Sequence, residues 1–210
     1  MGIEKNPADF LPSDVEAVVA SEWNYAARYN RQSEPRAILL AGQPGAGKTV
    51  LSSMLNKLLC GNVYFINADE YRRFHPNYKE LYARYGSVSV QMTSGFSGAV
   101  TERLIHETSE RGIHLIIEGT GRTTDVLHRT AELLVKKGDR VELAVIATRP
   151  EHSLCSTLLR FYEMNERGTI PRATAMEAHD YVVRVLPDNL DILRDDPVIS
   201  GMTIWYRTPT

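Results

Sequence analysis

Gly42-Gln43-Pro44-Gly45-Ala46-Gly47-Lys48-Thr49 carries a glycine, four further residues and then Gly-Lys-Thr, the spacing of a phosphate-binding loop. Its flanks have the matching character. Arg36 to Ala41 (RAILLA) reads as a short buried strand, and Val50 to Leu59 is apolar at helical spacing through Leu51, Met54, Leu55, Leu58 and Leu59. A strand that feeds a glycine-rich turn into a helix start aims backbone N–H groups and the positive end of the helix dipole at one point. The residues expected to surround a nucleoside triphosphate are therefore Gly42, Gln43, Pro44, Gly45, Ala46, Gly47, Lys48, Thr49 and Val50. Lys48 is expected to reach the β- and γ-phosphates, and the Thr49 hydroxyl to ligate Mg2+.

Working outward, short apolar strands alternate with helical stretches. Strands are predicted at Val63–Asn67, His114–Ile117, Val141–Ala147 and Met202–Tyr206, the last at an edge. Helices are predicted at Asp14–Tyr29 (capped by Ser13), Val90–Arg111, Asp125–Lys137, Glu151–Glu166 and Thr174–Leu186. Tyr71 to Gly86 is a polar, aromatic connector interrupted by Pro76. The alternation predicts an α/β fold of the P-loop kinase type, with a parallel five-stranded sheet, helices on both faces and a small lid. Residues 1–35 read as a helical extension and 36–210 as the main domain.

In such a sheet the ligand lies beyond the carboxyl ends of the strands. That rim gathers the phosphate loop, Asp69 and the Glu118–Gly121 stretch. Asp69, after the second strand, is placed to orient an attacking hydroxyl and take its proton, or else to cap the short helix that follows. Glu118 closes an apolar strand (HLIIE), and Thr120 and Arg122 add a hydroxyl and a cation. Arg160 and Arg172 flank a segment with Gly168 and Pro171, the composition of a lid whose arginines can reach a transferring phosphoryl group.

Composition narrows the classes. The 210 residues carry 24 basic and 26 acidic side chains, a net charge of −2. That balance gives no electrostatic case for a nucleic-acid or anionic-membrane partner. Cys60 and Cys155 have no metal-like spacing and read as reduced thiols. With neither a signal-peptide core nor a membrane-length apolar run, a cytoplasmic location is expected.

Beyond the first motif, NADEYRRFHPNY (Asn67–Tyr78), IEGTGRTTDV (Ile117–Val126), LLRFYEM around Arg160 and PRATAMEAHDYVV (Pro171–Val183) stand in order. Together, across roughly Arg36 to Tyr206, they resemble the zeta-toxin family of P-loop kinases. The resemblance implies ATP- and Mg2+-dependent phosphorylation of a UDP-N-acetyl amino sugar, chiefly UDP-N-acetylglucosamine at its 3′-hydroxyl. It also implies a toxin paired with an antitoxin protein. On that comparison Lys48 and Thr49 hold ATP and magnesium, and Asp69 faces the sugar hydroxyl. Glu102, Glu118, Thr120 and Arg122 contact the sugar nucleotide, and Arg160 and Arg172 clamp the phosphate. Ala68 departs from relatives that can carry Asn there. A different small-molecule P-loop kinase explains the loop and Asp69 but not the IEGTGRTTDV and PRATAMEAHD pieces. A GTP switch would need an Asn-Lys-x-Asp motif, which the chain lacks.

Overall fold

The computed structural model describes residues 6–171 and 173–207. Five strands form one sheet: β1 (Arg36–Ala41), β2 (Val63–Asn67), β3 (His114–Glu118), β4 (Arg140–Ala147) and β5 (Gly201–Tyr206). Their order is β2-β3-β1-β4-β5, and every pair is parallel. The register sets Asn67 beside Glu118 and Glu118 beside Leu40, so β2, β3 and β1 end at one level.

Alternate residues of β1 to β4 serve two buried faces, whereas the edge strand β5 has no buried residue. Leu39, Ile66, Leu115, Ile117, Leu143 and Val145 point into the larger core; Ile38, Leu40, Ile116, Ala144 and Ile146 point into the smaller. Burial on both faces is what makes these strands read as continuous apolar runs. The larger core is closed by α1 (Pro12–Ala26), α6 (Ser94–Glu110), α7 (Thr124–Lys136) and α9 (Met176–Arg194). The smaller is closed by α2 (Lys48–Leu58) through Leu51 and Leu55, while Met54 and Leu58 of that helix stay exposed. Each large apolar side chain buried here contributes about 1.5–3 kcal/mol.

Several boundaries differ from the sequence reading, each for a local reason. The helix α1 starts at Pro12 rather than Asp14. Proline suits a first helical position, and the Asp14 carboxylate accepts the Leu11 N–H at 2.8 Å, so Ser13 is not the cap. Val15, Val18, Val19 and Ala26 bury against α6, whereas Trp23 is half-buried under the Arg111 guanidinium.

The helix predicted from Val90 is broken at Thr93 into α5 (Ser89–Met92) and α6. The Thr93 hydroxyl donates to the Ser89 carbonyl at 2.8 Å, and Arg72 donates to the Val90 carbonyl at 2.6 Å. These bonds compete with the helical ladder. The connector itself folds as α3 (Ala68–Tyr71), a 3₁₀ turn and α4 (Tyr78–Tyr85), with His75 and Asn77 bonded to the carbonyls of Ala8 and Pro7.

The helix α8 (Pro150–Glu166) is followed by residues 167–175 and then by α9, which runs through Pro187 to Arg194 instead of stopping at Leu186. An interior proline costs about 3 kcal/mol. Burial of Leu186 and Leu193, and the Asn189 amide donating to the Gly121 carbonyl at 2.9 Å, offset it. Cys60 and Cys155 are exposed free thiols. Among the described residues no helix is long and apolar enough to cross a membrane.

Candidate active site

The phosphate loop leaves β1 at Gly42 and enters α2 at Lys48. Gly45 and Gly47 have φ of +76° and +106°, the left-handed region that favours glycine. Space is the second constraint at Gly45, because a Cβ there would lie 2.0 Å from the Ser153 carbonyl oxygen. The loop is thus pressed against the first turn of α8. Side chains complete the brace. Gln43 donates to the Thr148 carbonyl at 2.6 Å, Thr148 donates to the Ala46 carbonyl at 2.7 Å, and Arg207 donates to the Gly45 carbonyl at 3.3 Å.

Lys48 is 9% exposed and donates to the carbonyls of Gly42 (2.8 Å) and Gln43 (3.2 Å). Burial lowers its pKa; the carboxylates of Glu118 and Asp69 oppose that shift, and the Arg160 cation adds to it. Four of the sequence-derived residues therefore share one electrostatic neighbourhood. Glu118 arrives there because β3 ends beside β1, a pairing extended by the Gly119 N–H bonded to the Leu40 carbonyl at 2.8 Å.

Asp69 lies in the first turn of α3, but it is not the cap. Asn67 is, accepting the Asp69 N–H at 3.0 Å. The Asp69 carboxylate is left for Arg72, whose Nε donates to Oδ1 at 2.9 Å. Sequence reading missed Arg72, although its spacing of three from Asp69 on a helix was a usable signal. Asp69 and Arg72 line a hollow with Tyr78, Tyr82, Ser89 and Pro171.

Thr120 is half-buried and Arg122 exposed, carried on a turn pinned by Gly121. Gly121 has φ +73°, and a Cβ there would meet Leu186 at 2.6 Å. Arg160 donates to the Thr174 hydroxyl at 3.4 Å across residues 167–175. Glu102 is exposed on α6, roughly 12 Å along the axis from the helix start. Arg172 lies outside the described residues.

The donor set fits a magnesium nucleotide. Glycines whose missing Cβ leaves room for α8, a helix start and one buried cation suit phosphate oxygens. The exposed Thr49 hydroxyl and the Glu118 carboxylate are hard oxygen donors. Among the described residues no group of three His, Cys, Asp or Glu side chains can hold an ion by itself. A metal here would share its ligands with the phosphates, as Mg2+ does in such sites.

The sequence model of the zeta-toxin family matches residues 20–208. The chain belongs to that family. It is 40% identical over 201 residues to toxin PezT of Streptococcus pneumoniae, covering 95% of this chain and 79% of PezT. It is 39% identical to toxin zeta of Streptococcus pyogenes over 174 residues, 82% of this chain but 61% of the relative's length. A solved structure from the PezAT chromosomal toxin–antitoxin system of S. pneumoniae superimposes with TM-score 0.86 at 37% identity, over 96% of this chain and 79% of that one. The AvrRxo1-ORF1:-ORF2 complex with ATP shares the fold at 17% identity, with TM-score 0.65 over 97% of this chain and 66% of that one. The parallel sheet of this chain is that of the P-loop kinases.

Proposed function

We propose that this zeta-toxin family member is an ATP- and Mg2+-dependent kinase that phosphorylates a UDP-N-acetyl amino sugar, UDP-N-acetylglucosamine at its 3′-hydroxyl, and acts as the toxin of a toxin–antitoxin pair. The observation that carries the reading is the meeting of a buried Lys48 with Asp69, Glu118 and Arg160 at the end of the sheet. Cation and carboxylates so placed suit in-line transfer of a phosphoryl group to a hydroxyl.

In this reading the acceptor oxygen bonds to the γ-phosphorus as the bond to the β–γ bridging oxygen breaks. Asp69, oriented by Arg72, receives the acceptor proton. Lys48 and the loop N–H groups hold the phosphate oxygens, and Arg160 and Arg172 meet the charge of the transferring group. Thr49 and Glu118 would hold a magnesium ion, which when bound would neutralise charge on the nucleotide phosphates. Glu118, Thr120, Arg122 and Glu102 contact the sugar nucleotide, with the Tyr78–Tyr82 hollow next to Asp69 accommodating part of it. An antitoxin partner is supported by the likeness to a protein of the PezAT toxin–antitoxin system.

The test is incubation with Mg-ATP and a panel of UDP-sugars, reading the product by mass and phosphorus NMR. A singly phosphorylated UDP-N-acetylglucosamine, with phosphorus coupled to the sugar 3-proton, is the expected result. ADP release that no UDP-sugar accelerates would remove the acceptor assignment.

A further inference from the structure

Behind the phosphate loop runs a buried polar chain that joins three distant parts of the sequence. The Gln43 amide lies 3.4 Å from the Ser153 hydroxyl as well as bonding Thr148. Ser153 Oγ stands 2.8 Å from His179 Nε2, and His179 Nδ1 stands 2.9 Å from the Asp180 carboxylate. Ser153 and His179 are fully buried, while Asp180 reaches solvent. Ser153, His179 and Asp180 adopt the connectivity of a hydrolase triad, but a fully buried Ser153 meets no substrate. The array must act on the protein itself.

The hydrogen positions follow from the partners. A carboxylate only accepts, so His179 Nδ1 carries a proton towards Asp180. That leaves Nε2 facing Ser153 alone, and Ser153 in turn faces Gln43 and the Pro150 carbonyl at 2.9 Å. Each member fixes the rotamer of the next. Ser153 is also the residue whose carbonyl presses on Gly45. The imidazole therefore holds, from behind, the residue through which α8 meets both Gln43 and Gly45.

We propose that His179 is a positioning residue for the phosphate loop, acting through Ser153 on Gln43 and Gly45. The inference rests on the reading of that loop as the ATP site. It ties α9, which begins after residues 167–175, to the conformation of the loop that binds the nucleotide. The effect the array can transmit is bounded by its own net bond energy, a factor of roughly 3–10 in affinity.

The experiment is calorimetric titration of the full chain with Mg2+ and a non-hydrolysable ATP analogue, with thermal melting alongside. His179→Leu and Ser153→Ala are each expected to weaken binding by roughly 3–10-fold, and the double variant no further, because one array is broken in all three. His179→Gln restores an amide at the Nε2 position and is expected to recover most of the affinity. The KM for the sugar nucleotide should stay unchanged throughout. If His179→Leu does not fold, Ser153→Ala, which loses a single oxygen, carries the test alone. Wild-type affinity in Ser153→Ala, or a lowered melting temperature with intact affinity in folded His179→Leu, overturns the inference and leaves the kinase reading standing. A wild-type chain that binds no Mg-ATP analogue overturns both.

Discussion

Asp69 is the residue where capping and chemistry separate most cleanly. Asn67 holds the cap, so replacing the Asp69 carboxylate by an amide leaves the start of α3 untouched. Asp69→Asn is accordingly expected to melt within a few degrees of wild type while losing about 10²–10⁴-fold in kcat. Kinetics with UDP-N-acetylglucosamine beside a melting curve check it; an active variant would strip Asp69 of its role as base. Arg160 makes a different claim. An interaction formed mainly in the transition state lowers kcat rather than raising the KM for sugar nucleotide. Arg160→Lys should recover little of the loss, because an ammonium lacks the planar fork that pairs with phosphate oxygens. A pure KM effect would move Arg160 onto the ground-state substrate.

Among the elements, α9 has the most to explain. Two of its residues can be changed with contrasting consequences. Leu193 is fully buried, so Leu193→Ala opens a cavity and is expected to cost about 2–5 kcal/mol, seen as a melting temperature lower by roughly 5–15 °C. Asn189 instead pins the Gly121 turn that carries Thr120 and Arg122. Asn189→Ala should cost no more than about 1.5 kcal/mol of stability, yet raise the KM for the acceptor several-fold. This helix also shows what the sequence could and could not reveal. A helix was legible as far as Leu186, whereas the two further turns beyond Pro187 were not. The strands and the phosphate loop were readable because their signals are local: an apolar run, or glycines at fixed spacing. Arg72 on Asp69, Asn189 on Gly121 and His179 on Ser153 were not foreseen. The last two depend on where helices dock, which short-range periodicity does not encode; the first is a local pair at a spacing of three.

At the scale of the whole molecule, acidity and chain order both leave marks. Asp139 is 4% exposed, and neither carboxylate oxygen has a hydrogen-bond partner. Burial pushes its pKa up from 3.8 to about 7. The folded state therefore favours the protonated acid, so this stability is fully present below pH 3.8 and is lost as pH rises towards 7. Asp139→Asn is expected to flatten that window, gaining on the order of 2–4 kcal/mol over wild type at neutral pH. Denaturant melts at pH 5 and pH 8 measure it, and equal pH slopes in the two proteins would count against it. Chain order acts on synthesis. The phosphate loop is made early, but β1 pairs with β3 and β4, and Gly45 rests on Ser153 and Thr157. At about 5–20 residues per second, the ribosome needs on the order of 5–20 s to pass from Lys48 to Thr157. Throughout that interval the nascent chain holds the loop's residues without the wall that shapes them. On the proposed reading of the loop as the ATP site, chains arrested before Ser153 should retain no ATP on a filter, and nucleotide binding should begin only late in translation.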